Sequence, residues 1–154
     1  ELVCGIVAFE ECVAKRPTGF ISPRATNSAH TLELLAKHGF RWTADVFDAD
    51  LPYLIETPEG PLAGVPFTME VNDLPITIRY GNEPEAFSRT LKRILDGWHG
   101  IGGPVATLDV TAHAHVFGRP AGAIEFKAAI ETVKDLDWVW LTTHEQPAEI
   151  AFAE

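Results

Sequence analysis

The chain has 154 residues, 46% of them hydrophobic, and a net charge of −10 with an isoelectric point near 5.0. That hydrophobic share excludes a disordered chain and suffices for a core of ordinary domain size. The excess of acid argues against nucleic acid and anionic membrane surfaces as partners, and no apolar run approaches a membrane span.

Residues 1–15 place Leu2, Ile6, Phe9 and Val13 at helical spacing, and Pro17 is expected to end that helix. Cys4 and Cys12 lie in the same pattern, ~12 Å apart along a helix, too far to bridge. They read as reduced thiols in a cytoplasmic protein. The sequence starts at Glu1 without a methionine or a capping residue, as expected of a processed chain or a piece of a larger one.

Residues 19–23 predict a short buried strand. Ser28 is the expected cap of a helix with Leu32, Leu35 and Ala36 inward and Gly39 as its stop. Residues 40–45 read as a strand, and residues 46–64 as a long Pro/Gly/Asp loop of the kind that often carries function. Residues 65–70 predict a strand leading to Asn72 and Asp73. Pro84 opens a helix with Phe87, Leu91, Ile94, Leu95 and Trp98 on one face. Residues 105–112 predict the strongest strand. Pro120 opens another helix with Phe126, Ile130 and Val133 inward. Residues 138–141 predict a last strand, and Thr143 to Gln146 is a capping box for the last helix. Trp42, Trp98, Trp138 and Trp140 fall on periodic positions and are expected in the core.

This alternation predicts an α/β fold with a mostly parallel sheet, in a single domain over residues 1–154. About five strands are too few for the eight of a closed parallel barrel. The expectation is therefore part of a barrel, whose open edges need another segment or chain.

The residues with chemical potential cluster late. His113 and His115 are read as alternating along a strand at its C-terminal end, so both point to one side. An imidazole there is suited to protonating a leaving nitrogen or oxygen. Two satisfied, half-buried histidines fit the same spacing equally well. Asp48, Asp50 and Asp73 follow strands and suit acid, base or ligand roles, although such residues more often shape turns. Asp109 should share the histidines' face and is a candidate to orient one. Arg119 suits a carboxylate or simply the corner it occupies. There is no His-x-x-x-His, Cys-x-x-Cys, phosphate loop or Gly-x-Ser-x-Gly elbow, so no metal site is expected from this chain alone.

Several segments, in order, resemble the polysaccharide deacetylase (NodB-homology) superfamily over nearly the whole chain. Residues 16–23 are similar to its Arg-Pro-x-Gly-aromatic-Arg-x-Pro segment. Residues 30–40 resemble the helix and strand that follow, and Asp48 to Tyr53 resembles its Asp-rich loop. Residues 66–73 resemble a strand ending in Asn-Asp. His113 to Pro120 resembles its late His segment with a Gly-Arg-Pro corner, closer to the amide-cleaving, allantoinase-like and cyclic-imide-hydrolase-like branch. Residues 139–145 resemble its last strand and helix start. The departures are Ile21 at the family's arginine and Thr111 at its usual leucine.

The resemblance implies the C-terminal half of a distorted (β/α) barrel of the NodB type, completed by another chain or a missing N-terminal segment. It implies hydrolysis of a non-peptide carbon–nitrogen bond in a small amide, imide or ureide, with His113 as the proton donor. Asp48, Asp50, Tyr53, Asn72, Asp73, His115 and Arg119 would contact substrate. The base, and a divalent metal such as zinc if one is used, would come from residues outside this chain. The implied partners are a complementary N-terminal half or homologous subunit, in an oligomer. Two other implications stand beside this one: a non-catalytic stabilising subunit, and a carbohydrate de-N-acetylase.

Overall fold

The computed structural model describes residues 2–153. They form two compact units. One runs to Phe67 and takes in the chain from Thr142 onward; the other is Thr68–Leu141. The predicted start at Glu1 lies outside the described residues.

The first unit is built on a four-stranded sheet of β1 (Gly19–Phe20), β2 (Trp42–Val46), β3 (Tyr53–Ile55) and β4 (Leu62–Pro66). Its order is β1-β2-β4-β3, parallel except for β3, which runs antiparallel to β4. All five residues of β4 are buried, as the centre of a covered sheet requires. Helices α1 (Leu2–Val13) and α2 (Thr31–Lys37) share a core of Ile6, Leu35, Phe40 and Leu62. Helix α5 (Glu145–Ala153) sets Ala148 and Ala151 against Ala63 and Val65.

Gly19 is forced here by sterics. A Cβ at that position would fall 1.9 Å from the indole of Trp42, on the neighbouring strand. Gly39, with φ of 75°, stops α2 in the left-handed conformation predicted for it.

The second unit contains β5 (Val71–Asn72), β6 (Val110–Thr111), α3 (Glu85–Gly100) and α4 (Pro120–Val133). Strands β5 and β6 are parallel, with Asn72 opposite Thr111. Val71, Phe87, Leu91, Leu95, Phe117, Ala129 and Val133 form its buried core.

The structure corrects several sequence expectations. The loop predicted over residues 46–64 contains β3 and the start of β4, joined by a turn in which the Gly60 amide donates to the Thr57 carbonyl. Pro58 and Gly60 are typical of that turn, a signal hidden among other Pro, Gly and Asp residues. The strand predicted over residues 65–70 ends at Pro66. The strand predicted over residues 105–112 shrinks to two residues: in the parallel register residues 105–109 would lie beside 66–70, and residues 67–70 form no strand to pair with them. Val105 is 81% exposed. Residues 138–141 make no strand.

Of the four tryptophans expected in the core, Trp98, Trp138 and Trp140 are exposed and Trp42 is half-buried. On α1 only Ile6 is buried, while Phe9 and Val13 are exposed. Ser28 sits before the cap position, which His30 occupies; the Ser28 hydroxyl accepts from the His30 amide instead.

Candidate functional site

Two neighbouring parallel strands end side by side in the second unit, and their continuations carry the chemistry. Asp73 follows β5 directly, and His113 lies two residues past β6. The space beyond the carboxyl ends of parallel strands is where α/β folds gather functional groups.

Asp73 is fully buried. Its Oδ1 lies 2.6 Å from His113 Nδ1, and its Oδ2 accepts the His113 backbone N–H at 2.8 Å. Both oxygens therefore hold the same residue, one by its ring and one by its main chain. Burying a carboxylate is costly unless hydrogen bonds replace its water, and these two do. A carboxylate can only accept, so the Nδ1 position carries the proton and Nε2 is left for other partners. The His113 side chain is about a third exposed, which leaves the ring open to solvent on one side.

Local sequence explains why Asp73 is so placed. Asn72 Oδ1 accepts the Leu74 amide, and the Thr77 hydroxyl donates to the Asp73 carbonyl at 2.6 Å. These bonds begin the wide helical turn Leu74–Arg79 with Asp73 at its cap. On the other strand, the Asp109 amide donates to Thr68 Oγ1 at 2.7 Å and pins residue 109 beside residue 68.

After His113 the chain closes a tight turn. The amides of Val116 and Phe117 donate to the His113 carbonyl, and the Gly118 amide to that of Ala114. A Cβ on Gly118 would sit 2.1 Å from the Ala114 carbonyl oxygen, and one on Gly122 would sit 2.5 Å from Phe117 Cα. The Gly-Arg-Pro corner is thus glycine for steric reasons, with Pro120 starting α4. A shallow concavity of about 350 Å³ beside it is lined by His113, Phe117, Gly118 and Phe126, among others.

His115 packs edge-on to His113, ring centroids 5.6 Å apart, but both lie beyond β6, so a turn and not strand alternation brings the rings together. Asp73, His113 and His115 are therefore brought together. Arg119 is exposed at the start of α4. The carboxylate seen on His113 is that of Asp73, while Asp109 accepts the Thr111 hydroxyl. The sequence reading made Asp73 a substrate contact and looked to Asp109 for orientation. The Asn-Asp pair at a strand end was read, but not that this strand lies beside the one leading to His113.

Asp48, Asp50 and Tyr53 belong to the first unit and are exposed. The Tyr53 hydroxyl donates to Asp48 Oδ1 at 3.1 Å. Partial burial, and then the Asp48 carboxylate, push the Tyr53 phenol above its ordinary value. Ile21, at the position of the family arginine, is exposed, and the nearby Arg24 adopts a left-handed φ of 58°. Among the described residues no three His, Cys, Asp or Glu side chains come together as a metal site. No helix of the described residues is long and apolar enough to cross a membrane.

No protein-family model and no curated protein matches the sequence. Solved structures do. A protein described as a polysaccharide deacetylase from Pseudomonas aeruginosa PAO1 is 29% identical, with a TM-score of 0.83. One described likewise from Mycobacterium smegmatis is 29% identical, with a TM-score of 0.85. The Puue allantoinase is 28% identical, with a TM-score of 0.83. Each match covers 99% of this chain but only 52%, 55% and 51% of the respective structure. The chain thus spans about half their length, and over that half it has their fold, as the sequence resemblance and the partial-barrel expectation implied.

Proposed function

We propose that this chain, which has the polysaccharide-deacetylase-type fold over about half of that fold's length, supplies the proton-donating part of a hydrolase acting on a carbon–nitrogen bond of a small linear or cyclic amide. The observation that carries this reading is the Asp73–His113 pair, buried at the carboxylate and open at the imidazole. With the Nδ1 proton held by Asp73, Nε2 is the atom free to take up a proton from the attacking water or the solvent and to hand it on. As the carbon–nitrogen bond of the hydrated intermediate breaks, Nε2 passes that proton to the departing nitrogen. His115 and Arg119 contact polar or anionic groups of the substrate.

The described residues of this chain bring no three metal-ligating side chains together. The base that activates water, and any metal, belong to the complementary half of the fold, whether in a separate chain or in the same one. Apolar side chains left exposed, such as Val3, Val7 and Val13 on α1, are what an element awaiting such cover would show. The Gly-Arg-Pro corner favours an amide, imide or ureide over an N-acetylated sugar. The two kinds of solved structure match this chain about equally well, so both substrate classes go into the test.

The test uses the chain together with the half that completes it, against ureides, cyclic imides and N-acetylated oligosaccharides. His113→Ala should lower kcat by about 10²-fold or more on the accepted substrate. A near-normal kcat would remove His113 from the chemistry. Ile21 in place of arginine favours a second reading, a subunit that stabilises a homologous enzyme without catalysing. That reading predicts partner activity that rises with this chain and is indifferent to His113→Ala.

A further inference from the structure

The outer face of α3 carries three basic side chains, of which only Lys92 is paired within the unit. Arg89, Lys92 and Arg93 are exposed and, with Asp96 and Gly97, line a shallow concavity of about 500 Å³. Three of the chain's 12 basic residues thus fall within one and a half helical turns of a chain whose net charge is −10. Lys92 reaches Asp96 at 2.7 Å. Arg89 and Arg93 have no hydrogen-bond or ion-pair partner among the described residues. They stand four residues apart, about 6 Å between their Cβ atoms, a spacing at which like charges disfavour a helix.

Gly97 adds an independent observation. It lies inside α3, where glycine also disfavours the helix. A Cβ built on it meets nothing within 4 Å. The packing around α3 does not require a glycine there. Its effect is to keep the end of the cationic concavity open.

We propose that this face of α3 docks an acidic protein segment, with carboxylates on Arg89 and Arg93 and backbone passing over Gly97. The shape favours a segment over a small anion, which would stay largely hydrated in so shallow a site. Carboxylates two residues apart on an extended strand, or four apart on a helix, match the arginine spacing at ~6–7 Å. Guanidinium groups suit bidentate pairing with them. A short segment feels charges within a Debye length of ~8–10 Å, where the surface is basic, whereas a long polyanion meets the acidic remainder.

The test titrates the whole chain with a fluorescent nonapeptide of alternating Glu and Ala at low and at physiological salt. The wild type should bind, more weakly at higher salt. Arg89→Gln with Arg93→Gln should weaken binding roughly tenfold. Arg89→Lys with Arg93→Lys, which keeps the charge and the fold, should fall between. Lys127→Gln with Lys134→Gln changes the net charge equally on another helix and should leave the affinity within about twofold. Gly97→Ala should weaken binding while leaving the melting temperature unchanged or higher. The proposal is overturned by no binding to the wild type, by equal losses from the two glutamine pairs, or by unchanged affinity after the arginine changes. It is overturned too if single-stranded DNA binds the same arginines more tightly than the peptide does.

Discussion

The two units hold their parallel strands together in different ways. In the first, β2 and β4 are five residues each and pair from Trp42 to Val46 with one irregularity between Thr43 and Val46, and β4 is buried throughout. In the second, β5 and β6 are two residues each. They are aligned by side chains as much as by the ladder: Thr68 on the Asp109 amide, and Asp73 on His113. A sheet held by its own backbone leaves side chains free to pack. One held by side-chain clamps fixes those side chains in place, and here the clamp is also the candidate site.

The sharpest way to separate the two units is to damage their cores one at a time. Phe87 is fully buried in the second unit and Leu62 in the first. Phe87→Ala should cost about 3–5 kcal/mol and Leu62→Ala about 2–5 kcal/mol. Hydrogen exchange should rise first in residues 68–141 for Phe87→Ala, and in β2 and β4 for Leu62→Ala. Uniform acceleration in both variants would show that the units open together.

Legibility in the sequence divided differently, between helices and short strands rather than between the two units. Helices α3 and α4 were readable because Phe87, Leu91 and Leu95, and then Pro120 with Phe126 and Val133, recur over two turns or more. The short strands of the second unit were not. Apolar composition at Val105 and Trp138 to Leu141 mimics a strand, but a strand needs a partner, and pairing is a property of the fold. The closeness of His113 and His115 was legible from their spacing, although a turn and not the expected strand produces it. The His113 partner Asp73 was legible as a candidate but not in its role, because 40 residues separate the two and only the parallel register of β5 and β6 joins them. The hairpin of β3 and β4 was written in Pro58 and Gly60 and obscured by the surrounding turn residues.

A smaller effect tests the clamp. Thr68→Val keeps the shape and removes the acceptor for the Asp109 amide. It should cost about 1–2 kcal/mol and loosen β5 and β6 in hydrogen exchange, with β2 and β4 unmoved. Equal protection in the variant and wild type would mean that the backbone ladder alone aligns the strands.

The smallest effect lies in the first unit. The Tyr53 phenol is raised by its partial burial and then by Asp48, so the folded state holds that proton longer than the unfolded chain. Stability is therefore unaffected below the ordinary tyrosine value of about 10 and falls as the pH rises through it. Tyr53→Phe should lose less stability than wild type above that pH and match it at neutrality. An identical alkaline decline in both would detach Tyr53 from Asp48.

The central claim is that Asp73 fixes the His113 ring, and the ring's tautomer reports it directly. Nitrogen-15 NMR of the intact chain at neutral pH should show His113 with its proton on Nδ1 and Nε2 bare. Asp73→Asn, which keeps the shape but offers an amide to the ring, should abolish that preference. A proton on Nε2 in the wild type, or a tautomer unchanged in Asp73→Asn, would contradict the account.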